Sequence, residues 1–99
     1  DTITFDKEGI MITLDGRIIK YALSEVLKVS MITTDTGPFE SDVAVAVFIN
    51  SEIYIIKSDH PMYDAFLFDE LSKNISLDYK EMINASTCTD NAEFILYKK

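Results

Sequence analysis

The hydrophobic pattern changes period once, near residue 58, and that single change limits the chain to a few architectures. Up to Lys57 the apolar side chains come in short runs divided by turn residues. Ile3–Phe5 is followed by the turn-forming Asp6-Lys7-Glu8-Gly9, and Ile10–Leu14 resumes the strand. Asp15-Gly16 then marks a two-residue hairpin, because both central residues of a type I′ turn need positive φ. Arg17–Ala22 is the return strand, so residues 3–22 read as a three-stranded meander. Leu23-Ser24-Glu25-Val26 interrupts the pattern, either as one helical turn capped by Ser24 or as a strand bend.

Leu27–Thr34 alternates at its start, with Leu27, Val29 and Met31 expected on one face and Lys28 and Ser30 on the other. Residues 35–42 (DTGPFESD) have loop composition. Val43–Asn50 (VAVAVFIN) is almost wholly apolar, as expected of a central strand covered on both faces. Ser51-Glu52 turns the chain and Ile53–Lys57 pairs back. Beyond this point the period lengthens. Asp59 is the expected cap of a helix with Pro61 in its first turn. Tyr63, Phe66, Leu67 and Leu71 line one face of that helix, which runs to about Lys73. A shorter helix over Leu77–Asn84 would turn Tyr79, Met82 and Ile83 inward, and Ala92–Tyr97 reads as a closing strand.

Strands, then helices, then one strand predict an α+β fold. The expected architecture is one domain spanning residues 1–99. It is a mainly antiparallel, bent sheet of six to seven strands, with one or two helices on one face and a final C-terminal strand. A chain of 99 residues, 47 % hydrophobic and 26 % charged, has globular composition and buries a single core. The longest uncharged stretch, Val43–Ser51, falls far short of a membrane span. No basic, apolar leader is visible, and Cys88 is the only cysteine. Both features fit a reducing, cytoplasmic setting.

Charge is distributed unevenly. The net charge is −8, and residues 35–70 carry −7 of it, with eight acids against Lys57 alone. Nucleic acid and anionic membrane reward Lys and Arg, so neither is an expected partner. The acidic stretch reads either as a solvated face that keeps the chain soluble or as a docking surface for a basic protein. Its candidate contact residues are Asp35, Phe39, Glu40, Asp42, Asp59, Asp64, Phe68, Asp69 and Glu70. Phe39, between Pro38 and Glu40, and Phe68, off the main helix face, either fold back on the core or serve as aromatic anchors among carboxylates.

Catalytic chemistry has little to work with. His60 is the only histidine, and it sits at a loop–helix junction. Cys88 has no basic neighbour in sequence to activate it. The glycines (Gly9, Gly16, Gly37) are too scattered for a phosphate loop. Asp59, His60 and Asp64 match no established metal-ligand spacing. The sequence therefore predicts no catalytic site, no metal and no cofactor.

Two stretches carry a resemblance. Thr34-Asp35-Thr36-Gly37-Pro38-Phe39, followed by Asp42-Val43 and an apolar strand, is one. Ser86-Thr87-Cys88-Thr89-Asp90-Asn91-Ala92-Glu93-Phe94 is the other. Together they resemble a family of short, uncharacterised bacterial proteins with a GPF loop before a central strand and an S-T-x-x-N-A-x-F-like end after two helices. This chain departs from that pattern in having no Trp. In size and acidity it also resembles the immunity proteins of bacterial toxin–immunity systems, including contact-dependent growth inhibition. That resemblance implies a cytoplasmic, non-catalytic protein whose partner is a basic toxin, most concretely a nuclease. The runner-up is an adaptor or scaffold domain that uses a sheet edge or a helix groove.

Overall fold

The computed structural model describes residues 2–6, 8–34, 43–88 and 90–99, with only the backbone of Asp6, Phe68 and Glu70. Turn chemistry builds the first sheet. Strands β1 (Thr2–Asp6), β2 (Gly9–Leu14) and β3 (Arg17–Ala22) form an antiparallel meander. At the β2–β3 turn Asp15 and Gly16 have φ of 50° and 78°, the positive values that the sequence called for. Gly9 has φ 146°, and a Cβ there would lie 2.0 Å from the Tyr21 backbone oxygen, so only glycine fits. One face of this sheet presents Ile3, Phe5, Ile10 and Ile12 to the core, with Ile19 and Tyr21 packed beside them.

A 3-10 turn, Leu23–Glu25, leads into β4 (Val26–Thr33). It is held by Glu25 rather than by Ser24. The Glu25 carboxylate accepts from the Ala22 N–H at 2.7 Å and from Asn50 Nδ2 at 3.2 Å. These hydrogen bonds hold the Glu25 carboxyl below its usual pKa, the Ala22 bond contributing most. Strands β5 (Val43–Ile49), β6 (Glu52–Lys57) and β7 (Ala92–Lys98) complete a second antiparallel sheet, ordered β6-β5-β4-β7. The chain is thus α+β, with its seven antiparallel strands divided at the 3-10 turn into sheets of three and four.

Two details of the second sheet differ from the expected alternation. A bulge between Val26 and Lys28 shifts the phase, so that Val26 is buried and Leu27 exposed. Strand β5 is central, and Val45, Val47 and Ile49 enter the core. Its other face is not covered by a layer of described residues. There Phe48 is half-buried, and Ile53, Ile55 and Ile95 on the neighbouring strands are exposed. A continuous apolar run is compatible with such a strand, because small residues such as Ala46 are shielded by their larger neighbours.

Helix α1 occupies residues 63–74, π-helical over Ala65–Leu71 and closing with Ser72–Asn74. The wider winding is seen where the Ser72 N–H donates to the Leu67 carbonyl, five residues back. Asp59 does not cap this helix. Residues 58–62 form turns, and the His60 ring Nδ1 instead accepts from the Met62 N–H at 3.1 Å. Tyr63, Phe66, Leu67 and Leu71 are buried as their spacing predicts. Phe66 meets Phe5 of the first sheet edge-on, with ring centroids 6.2 Å apart.

Helix α2 (Tyr79–Ser86) is capped by Asp78, whose carboxylate accepts from the Glu81 N–H at 3.2 Å. It buries Met82 and Ala85, whereas Tyr79 and Ile83, expected inside, are 55 % and 65 % exposed. The Asp78 N–H donates to the Leu96 carbonyl, which fixes the start of α2 against β7 and rotates the helix to this phase. No helix among the described residues is long and apolar enough to cross a membrane.

Candidate functional site

The structure describes part of the acidic stretch. Asp35, Phe39, Glu40 and Asp42 lie outside the described residues, as do the side chains of Phe68 and Glu70. Asp59, Asp64 and Asp69 are exposed. Asp59 stands in the turn after β6, and Asp64 and Asp69 stand on α1. A regular α-helix would turn residues five apart well away from each other. Here Asp64 stands at the start of the π-helical stretch and Asp69 within it, so the wider winding narrows the angle between them.

None of these three carboxylates, nor that of exposed Glu52, makes an ion pair or hydrogen bond with a described residue. Four acids elsewhere in the chain are engaged. Glu25 holds the 3-10 turn, Asp78 caps α2, and Glu81 accepts from Asn84 Nδ2 at 3.3 Å. Glu93 pairs with Lys28 at 3.0 Å, and that bond holds its carboxyl below the usual range. Lys28 also sits 4.2 Å over the Phe48 ring, so one cation serves both contacts on the outer face of the second sheet.

A groove of about 720 Å³ runs between the inner face of the first sheet and β6. Ile3, Ile12 and Leu14 form one wall, and Tyr54 and Ile56 the other. Tyr54 and Tyr21 join hydroxyl to hydroxyl at 2.9 Å across the sheets, and this bond, ahead of partial burial, pushes the Tyr54 phenol up to about 12. Asp59, His60 and Pro61 rim the groove. His60 therefore lies at a concave surface, the one arrangement that an enzymatic reading requires. Its partners do not extend that reading. Nδ1 is spent as an acceptor within its own turn, and no serine or cysteine lines the groove. Cys88 stands elsewhere, with Thr33 Oγ1 3.5 Å from its Sγ. Among the described residues no three His, Cys, Asp or Glu side chains are arranged to hold a metal ion, so Asp59, His60 and Asp64 do not converge.

The feature that sequence reasoning missed is the free edge of β6. The β5–β6 hairpin closes on Ile49 and Glu52 around Asn50-Ser51, with Asn50 at φ 52°. Alternation from that pair, continued by Ser58 N–H donating to the Val43 carbonyl, turns the backbone groups of Tyr54 and Ile56 toward β5. Those of Ile53 and Ile55 face away, where no further strand lies among the described residues. The available signal was the absence of charge between Glu52 and Lys57, since exposed edges ordinarily carry one.

No family model, curated protein or solved structure matches this chain.

Proposed function

We propose that the chain is a non-catalytic immunity protein of the cytoplasm that binds a basic toxin, most concretely a nuclease, and occludes its active site. One observation carries this reading. The described acids of the 35–70 stretch, including Asp59, Asp64 and Asp69, are exposed and make no ion pair or hydrogen bond with a described residue, whereas Glu25, Asp78, Glu81 and Glu93 serve the fold. Clustered carboxylates without counter-charges repel one another, so they lower the stability of the free chain and favour a partner that neutralises them. Facing a nuclease, they take the places of substrate phosphates. Charge complementarity sets the association rate, and apolar anchors such as Phe39 and Phe68 set the dissociation rate.

The test is kinetic and uses the product of the neighbouring gene, which this reading requires to be a basic toxin. Inhibition of its activity at one-to-one stoichiometry is expected. Asp59→Lys, Asp64→Lys and Asp69→Lys together should slow association by at least about tenfold at low salt and flatten its salt dependence. Association indifferent both to these changes and to salt would overturn the reading. An adaptor domain is the second reading, favoured by the uncharged, unpaired edge of β6 beside an apolar groove.

A further inference from the structure

We propose that β6 pairs antiparallel with β6 of a second copy of this chain, joining two four-stranded sheets into one of eight. Among the described residues β6 ends its sheet, and the outward N–H and C=O groups of Ile53 and Ile55 face no strand there. The side chains of both residues are also uncovered, at 54 % and 59 %. Two adjacent isoleucines with free backbone on a sheet edge are an exposed template for another strand.

The other edges are blunted by different means. Strand β3 carries Lys20 at its middle, and the Ala22 N–H is taken by Glu25. Strand β1 lies against α1, where Phe5 meets Phe66. Strand β7 has the Leu96 carbonyl occupied by the Asp78 N–H. Among the described edge strands β6 alone has an interior, Ile53-Tyr54-Ile55-Ile56, with no charge, helix cover or irregularity, its charges standing only at the ends, Glu52 and Lys57.

The choice of a second copy follows from the strand's own symmetry. A two-fold axis through Tyr54 sets Ile53 of each copy opposite Ile55 of the other, twice, and Tyr54 opposite itself. Residues directly opposite in an antiparallel ladder share a face, so all four isoleucines meet on the outer side of the joined sheet. Ile53 and Ile55 are the residues with outward backbone groups, so the apolar register is also the hydrogen-bonding register. A shift by two residues would set Ile53 against Lys57 instead. In this register Glu52 lies opposite Ile56 and Lys57 opposite Ser51, so no like charges are set against each other along the strand.

This pairing does not depend on the toxin reading, and salt separates the two. Each copy carries −8, so self-association is opposed by net repulsion and tightens as salt screens it, whereas capture of a basic partner weakens. The experiment is sedimentation equilibrium of the purified chain alone at low and high salt, paired with amide hydrogen exchange at low and high protein concentration. A monomer–dimer equilibrium that shifts toward dimer with salt is expected. With it, the Ile53 and Ile55 amides should become protected as concentration rises, while the Tyr54 and Ile56 amides, bonded to β5, stay protected throughout. Ile55→Lys should weaken the dimer by about tenfold or more with the circular dichroism spectrum unchanged, and Ile53→Lys should do the same. A monomer at every concentration and salt would overturn the proposal, as would a dimer whose Ile53 and Ile55 amides exchange freely.

Discussion

Phe66→Ala is the sharpest probe of how α1 is held to the first sheet. Phe66 is fully buried in the π-helical part of α1 and lies edge-on to Phe5. The ring therefore ties the helix to the first sheet, which lies beyond the 3-10 turn from the second. Truncating it to alanine loses the transfer energy of a buried phenyl group and leaves a cavity, together about 3–5 kcal/mol. The edge-on pair with Phe5 accounts for about 0.5–1.5 kcal/mol of that. A domain of this size holds only about 5–15 kcal/mol in all, so the loss is a large share of the total. At about 4–8 °C per kcal/mol, the thermal midpoint should fall by at least about 12 °C. Urea denaturation followed by circular dichroism supplies the free energy, and an unchanged slope shows that the same surface is exposed on unfolding. A double-mutant cycle with Phe5→Leu should return the coupling of the pair. A midpoint for Phe66→Ala within about 2 °C of the parent would refute the reasoning, because a wholly buried ring at the junction of three elements cannot be removed at no cost.

Further outcomes follow from the same geometry. Gly9→Ala should destabilise by about 2 kcal/mol or more, because the added Cβ meets the Tyr21 backbone oxygen; urea unfolding measures it. Gly16→Ala, where nothing lies within 4 Å, should cost only the strain of positive φ, about 1–2 kcal/mol, in the same assay. Burial pushes the Tyr63 phenol up to about 12, so the folded chain keeps a proton that the unfolded chain releases near pH 10. Stability from this group is complete below pH 10 and is lost between about pH 10 and 12, and Tyr63→Phe should lessen that alkaline loss in unfolding measured against pH. The lowered Glu93 carboxyl has the opposite sign. Its pairing with Lys28 stabilises above the ordinary carboxylate range and disappears as pH falls through the folded value, so Glu93→Gln should flatten the acid limb of the same curve.

Legibility in the sequence followed the range of the interaction. Asp15-Gly16 specified its hairpin because positive φ at two successive positions is a local demand that few residue pairs meet. The 3.6-residue spacing of Tyr63, Phe66, Leu67 and Leu71 gave the buried face of α1, even though the winding there is wider than an α-helix. The same reasoning misplaced α2, because Tyr79 and Ile83 follow a helical spacing as well as Met82 and Ala85 do. Which pair faces inward is settled by the contact of Asp78 with Leu96, eighteen residues along the chain. Likewise, the charge count marked the acidic stretch without showing which carboxylates lack partners. That depends on where Lys28 lands, and it lands beside Glu93 rather than beside Asp59 or Asp64.

The sequence by itself determined the order of elements, the turns, the main apolar faces and the concentration of negative charge, since each rests on neighbouring residues. Tertiary structure alone decided that the seven described strands part into two sheets at Leu23–Glu25, that the Phe5–Phe66 contact ties α1 to the first of them, and that β6 rather than β3 is left as the bare edge among the described residues. Those outcomes depend on which segments distant in sequence compete for the same hydrogen bonds and the same buried volume. Local periodicity is silent on that competition, because a strand's alternation is the same whether it ends at the centre of a sheet or at its rim.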